Sequence, residues 1–242
     1  MIMKYFICLV SATIVQTEEC YDSFCGNTVI IDDYEPHEEI RKKLSGQPVV
    51  GIDFEWDATR GGAYAPISLV QIAIPDAVFI FRIFPGDPLQ DIAREIINND
   101  NILKLGASIG NNDRIKLRRD FDVDLNLDAT IDMVQVARDR GLKKPGMEGM
   151  CLSIGYDIGK PKFSSEFYTW TNYRLTCGQQ RYAANDAWFL LLVAATWEVI
   201  DVDADTLATM RSSIAKATAV TSSDVGEPDC KLFCPGSGCP KL

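Results

Sequence analysis

No stretch of this sequence approaches the ~20 consecutive apolar residues that a membrane-spanning helix needs, so no such helix is expected. Histidine is nearly absent: His37 is the only one in 242 residues. It sits in Pro36-His37-Glu38-Glu39, where a surface position is expected. Cys230, Cys234 and Cys239 therefore have no histidine nearby, and their spacing supports no zinc site. Free thiols in a tail are the expectation for them. Basic residues are outnumbered, 24 against 34 acidic ones, for a net charge of −10. A protein that grips duplex nucleic acid through many phosphates ordinarily carries a basic face. The balance weighs against tight, non-specific duplex binding. It is compatible with a cluster of carboxylates that holds metal ions, and with basic residues gathered on one face. No internal repeat is present.

What is there fits an ordinary globular chain, with 47% hydrophobic and 24% charged residues and enough length for a sizeable core. Eight cysteines permit disulfides, but the chain is too long to be read as a disulfide scaffold. At the N-terminus, Lys4 precedes an apolar run that continues to Val15. Its length suits a signal-peptide core, yet Gln16-Thr17-Glu18-Glu19 offers no small-residue cleavage site. A leading β-strand is the other reading. An intracellular location, nuclear or cytoplasmic, is the expectation, and secretion through this segment is the alternative.

Thr28 to Ile31, Val49 to Trp56, Ile67 to Ile74 and Ala77 to Phe84 read as strands, the last three as an antiparallel meander. Helices are expected over Glu38 to Leu44, Leu89 to Ile97, Asp113 to Arg119, Ile131 to Arg140 and Met147 to Ile154. A strand over Ile102 to Ile109 carries Gly106. Gln179 to Ile200 is a long apolar helix that must be largely buried. One more helix is expected over 203–219, then a Ser, Pro, Gly and Cys-rich tail from Thr221. This order predicts an α/β mixed sheet with helices on both faces.

Asp53 and Glu55 stand two apart in a strand, so period two puts both carboxylates on one face. Two acids on one face of an apolar strand repel and lose solvation, and a cation between them removes both problems. A solvent-facing pair at a strand end is the plain alternative. Asp113 opens a helix after a strand, where capping or dipole complementation is the default role. Tyr182 and Asp186 lie four apart and share a helix face, with small residues between them. A salt bridge from Asp186 to Arg181 or Arg174 is the plain alternative there.

Taken together, these residues resemble the DEDD superfamily of 3′–5′ exonucleases, in its tyrosine subgroup and its Werner-syndrome-protein exonuclease and RNase D branch. Val49-Val50-Gly51-Ile52-Asp53-Phe54-Glu55-Trp56 looks like the first motif, and Leu69, Gln71 and Ile72 like the following strand. Leu105-Gly106, Asp113, Lys116-Leu117 and Asp120-Phe121 look like the second motif. Trp170, Leu175-Thr176, Gln179 and Tyr182-Ala183-Ala184-Asn185-Asp186-Ala187 look like the third. The similarity spans Thr28 to Ile200. Gly110-Asn111-Asn112, Arg114-Ile115 and Cys177-Gly178 depart from the family pattern. They leave Asp120 and Asp122 as alternatives to Asp113.

The resemblance implies a single RNase H-like domain over 28–204, between a leader of 1–27 and a C-terminal helix and tail of 205–242. It implies that Asp53, Glu55 and Asp186 bind two divalent ions, Mg²⁺ or Mn²⁺, and that Asp113 supports the second through water. Tyr182 would orient the attacking water, since a sister subgroup uses histidine there and His37 is far away. The products would be nucleoside 5′-monophosphates released from the 3′ end of DNA or RNA. Phe54 and Trp56, with the Gly61-Gly62 loop, would either stack on a terminal base or serve as core and sheet-edge packing. Lys160, Lys162, Arg174 and Arg181 would either steer the phosphate backbone or form a solvated face. A helicase or other targeting partner is implied, and no membrane. The competing reading is a nuclease fold without catalysis, serving as a nucleic-acid or protein-binding module.

Overall fold

Alternation of β-branched and aromatic residues builds the centre of the molecule, a six-stranded mixed sheet. The computed structural model describes residues 20–57, 65–110, 112–159 and 169–218. Strands β1 (Cys20–Phe24) and β2 (Asn27–Ile31) precede helix α1 (Glu38–Ser45). Then come β3 (Val49–Trp56), β4 (Ile67–Ile74), β5 (Ala77–Arg82) and α2 (Asp91–Asn98). β6 (Leu103–Gly106), α3 (Asn112–Phe121), β7 (Thr130–Asp132), α4 (Met133–Asp139) and α5 (Met147–Ser153) follow. The described chain ends with α6 (Cys177–Thr196), α7 (Ala204–Ser212) and β8 (Ile214–Thr218). The large sheet runs β2-β5-β4-β3-β6-β7. β3, β4 and β5 form the expected antiparallel meander, and β6 and β7 extend the sheet parallel to β3.

Alternate side chains of these strands feed two cores, one on each face. Val50, Ile52 and Phe54 join Ile92 and Ile96 of α2 and Leu117 of α3 on one side. Leu69, Ala73, Val78 and Ile80 join α6 on the other. Helices therefore cover both faces, as the pattern predicts. The long helix α6 has apolar residues all round and is buried along most of its length, with Trp188 at 0% exposure.

Several element limits differ from expectation, and the larger differences have physical reasons. The strand expected over Ile102 to Ile109 stops at Gly106, where the chain turns and Ser108 adopts φ 63°. The helix expected from Ile131 starts at Met133, because Thr130–Asp132 pairs with β6 and Asp132 caps α4 by accepting from Val134 N at 3.0 Å. The long helix starts at Cys177, not Gln179. Thr176 and Gln179 form a reciprocal capping box. It ends at Thr196, and Arg140 then takes the Trp197 carbonyl at 2.6 Å. The helix expected over 203–219 ends at Ser212, and Ile214–Thr218 pairs antiparallel with Cys20–Phe24. The end of the presumed leader is thus a strand. The expectations for Met1 to Val15, Gly61-Gly62, Lys160, Lys162 and the tail from Thr221 lie outside the described residues.

Candidate active site

The site forms where β3 meets α6. Gly51, Asp53 and Glu55 share the sheet face that α6 covers, since Val50, Ile52 and Phe54 fill the opposite core. Gly51 makes the approach feasible: a Cβ there would stand 2.1 Å from the Ala187 carbonyl oxygen. A glycine interior to a strand weakens it, and here it admits a second backbone. Ala183, Ala184 and Ala187 keep the facing side of α6 thin and buried. The helix thereby brings Asp186 to β3, and carboxylate oxygens of Asp53, Glu55 and Asp186 lie within 4.8 Å of one another.

Burial and mutual repulsion disfavour charge on this trio. Burial, then Asp186 and Asp113, push the Asp53 carboxyl well above the usual range. Burial, then Asp53, Asp186 and Asp113, do the same to Glu55. Asp113, 9% exposed in the first turn of α3, stands outside the trio, yet its charge reaches both. Its own carboxyl is raised to about 7 by burial and by Asp132, partly offset by Lys116. The alternatives to Asp113 are engaged elsewhere: Asp120 accepts from Ile67 N at 3.0 Å, and exposed Asp122 pairs with Arg118 at 3.4 Å.

Tyr182 lies one helical turn before Asp186 and shares a hydrogen bond with it. The Asp186 charge, burial, then Glu55 and Asp53 raise the phenol far above its ordinary value. It therefore stays protonated at neutral pH and acts as a hydroxyl, not a phenolate.

The donor set fits hard divalent cations. Three carboxylates supply oxygen ligands without sulfur or imidazole, as Mg²⁺ and Mn²⁺ prefer. Gln71 stands directly across from Asp53 on the same face, fully buried, with neither amide atom paired. An acidic pocket bordered by an unpaired polar group is unfavourable as bare protein and favourable around a cation and its waters.

Other expected contacts divide. Phe54 is 4% exposed in the core on the opposite face, so the stacking expectation for it is withdrawn. Trp56 is half-buried, with the Lys116 ammonium 4.5 Å from its ring centre. Lys116 also donates to the Ala65 carbonyl at 2.6 Å. Arg181 is half-buried beside Tyr182, and Arg174 is exposed. His37 pairs with Asp33 at 2.6 Å, away from the acids. Cys177, at the start of α6, is disulfide-bonded. Gly51, Gln71 and Lys116 carry parts of this site that the sequence reading did not assign. The signal for Gly51 was a glycine amid β-branched strand residues. The signal for Gln71 was a lone amide in a strand that is apolar apart from Ser68.

Residues 28–197 match the family model described as 3′-5′ exonuclease. Among curated proteins, the chain is similar to the mouse (Mus musculus) bifunctional 3′-5′ exonuclease/ATP-dependent helicase WRN, 28% identical over 161 residues. That match covers 64% of this chain and 11% of the relative. Among solved structures, NrnC of Brucella melitensis aligns with TM-score 0.59 at 18% identity, covering 77% of this chain and 88% of NrnC. RNase D of Escherichia coli aligns with TM-score 0.57 at 20% identity, covering 77% and 48%. The Nibbler EXO domain of Aedes aegypti aligns with TM-score 0.57 at 21% identity, covering 77% and 95%. At these identities the structures establish the architecture, an RNase H-like exonuclease fold.

Proposed function

Because the chain belongs to the 3′–5′ exonuclease family of nuclease hydrolases, we propose that it removes nucleotides singly from the 3′ end of a nucleic-acid strand, releasing nucleoside 5′-monophosphates. The observation that carries this reading is the trio Asp53, Glu55 and Asp186, drawn from two distant segments to within 4.8 Å. These residues would hold two divalent cations, Mg²⁺ or Mn²⁺, with Asp113 supporting one through water. Related NrnC has been solved with bound Mg²⁺ and with bound pGG, in keeping with both parts of the proposal. Such cations, when bound, supply the positive charge that activates water at neutral pH and offsets charge on the departing 3′ oxygen.

The protein's own groups do the rest. The Tyr182 hydroxyl, kept protonated and tied to Asp186, orients the attacking water. Arg181, next to Tyr182 along α6, is the residue we place at the terminal nucleotide; Trp56 packs against the same core as Phe54. The catalytic unit corresponds to 28–204. Since the mouse relative joins an exonuclease to a helicase, a helicase is the partner class we propose to present the strand end.

The test is digestion of matched, 5′-labelled DNA and RNA oligomers by the pure protein. A ladder shortening by single nucleotides with Mg²⁺ or Mn²⁺, and absent with EDTA, is expected. Intact oligomers bound without cleavage would overturn the reading. The nucleic acid degraded faster identifies the substrate: RNase D is described as an exoribonuclease involved in structured RNA processing, and the mouse relative as an exonuclease fused to a helicase.

A further inference from the structure

A third acid, Asp57, follows just past the end of β3. Asp57 follows Trp56 where the strand ends, and its carboxylate binds no cation of the protein in the described contacts. It accepts three hydrogen bonds from one short segment across the fold: Trp170 N at 2.5 Å, Thr171 N at 3.1 Å and the Thr171 hydroxyl at 2.7 Å. Two backbone amides and a hydroxyl converging on one carboxylate form a charge-assisted anchor.

The segment so held leads into α6. Trp170 is 2% exposed, and its ring lies 6.0 Å from the Tyr182 ring at an interplanar angle of 39°. One residue earlier, the Thr169 carbonyl accepts from Gln179 Nε2 at 2.8 Å, and Gln179 belongs to the capping box that starts α6. Further on, Arg82 takes the Asn172 carbonyl and, at 2.6 Å, that of Tyr173. Each part of 169–173 is thus held from a different element, and Asp57 is the group that accepts from the Trp170 and Thr171 amides. Through Trp170 it reaches the ring of Tyr182, while two residues earlier, on β3, stands Glu55.

We propose that Asp57 is a positioning residue: by anchoring Trp170 and Thr171 to the end of β3, it sets the place of the Tyr182 ring relative to the carboxylates. This rests on the exonuclease reading for its catalytic consequence and not for its structural one. Asp57 contacts no reacting group. Its loss is expected to act on the turnover step through Tyr182, whose ring Trp170 touches.

The experiment compares wild type, Asp57→Ala, Asp57→Asn, Tyr182→Phe and Asp57→Ala/Tyr182→Phe. Asp57→Ala is expected to lose about tenfold or more in kcat, since ångström-scale misplacement costs up to about 10²-fold. KM for the oligomer and affinity for Mn²⁺ stay within about twofold if Asp57 acts only through Tyr182. Asp57→Asn keeps an acceptor for both amides and recovers most of the loss. In the Tyr182→Phe background, Asp57→Ala costs no further turnover, because effects that run through one group do not add. Amide exchange measured by mass spectrometry reads the anchor without any activity: residues 169–173 exchange faster in Asp57→Ala and as in wild type in Asp57→Asn. Should Asp57→Ala fail to fold, Thr171→Val removes one bond of the three, and a smaller loss of kcat with the same non-additivity is expected. Unchanged exchange at 169–173, or equal losses with and without the Tyr182 hydroxyl, would overturn the proposal. If wild type cleaves nothing, the proposed function falls, and exchange still decides the anchor.

Discussion

Replacing Asp53 by Asn should make the metal-free protein more stable while abolishing cleavage. Two unit charges 4.8 Å apart repel by about 3.5 kcal/mol at an effective dielectric of 20. Asp53 takes part in two of the trio's three pairs, so its fully ionised form carries about 7 kcal/mol of repulsion at that separation. Proton uptake relieves most of that, since burial and Asp186 already favour its neutral form. A net gain of about 1–3 kcal/mol at pH 8 remains, which for a chain of this size raises Tm by about 2–10 °C. Calorimetry in EDTA at pH 8 measures it. Mg²⁺ then reverses the order: wild type gains about 2.7 kcal/mol at a hundredfold excess over Kd, and Asp53→Asn gains far less. A Tm for metal-free Asp53→Asn equal to or below wild type would refute the reasoning, because the trio would then not be under electrostatic load.

Three further outcomes follow from the same geometry. Asp113 has a folded-state pKa raised to about 7, so its protonated form is favoured by folding; relative to Asp113→Asn, the metal-free wild type loses stability as pH rises from about 4 to about 7, read by thermal melts across that range. An opposite slope would contradict it. Tyr182→Phe should retain Mn²⁺ affinity and lose about 10²-fold in kcat, measured by single-turnover cleavage, because only the hydroxyl proposed to orient the water is removed. Gly51→Ala should destabilise by about 1–3 kcal/mol and reduce cleavage sharply, since its Cβ would overlap the Ala187 carbonyl at 2.1 Å and push Asp186 away; denaturant melts and activity check both.

Much of the site is legible along the chain because its geometry is local. Period two places Asp53 and Glu55 on one face, and one helical turn aligns Tyr182 with Asp186. Strands β3 and β4 match their expected limits because β-branched and apolar residues begin and end sharply there. What escapes depends on partners far along the chain. β7 is three residues long and visible only through its pairing with β6. β8 pairs with β1 across nearly the whole polypeptide, so no local pattern announces it. Phe54 and Trp56 are both aromatic and adjacent to acids; only the folded core tells that both pack on the face away from the carboxylates, Phe54 buried and Trp56 half-buried under Lys116. Gly51 needs α6 opposite it before its missing side chain has meaning. The start of α6 was readable, since Thr176-x-x-Gln179 is a capping box that the apolar run after it overshadows.

Everything turns on whether these carboxylates cage divalent cations. Electron paramagnetic resonance of free Mn²⁺, titrated into metal-free protein at pH 8, measures this without reference to any substrate. Wild type should remove Mn²⁺ from solution saturably, with Asp53→Asn and Asp186→Asn binding at least tenfold more weakly. Wild type that takes up no Mn²⁺, or variants that take it up equally well, would contradict the account.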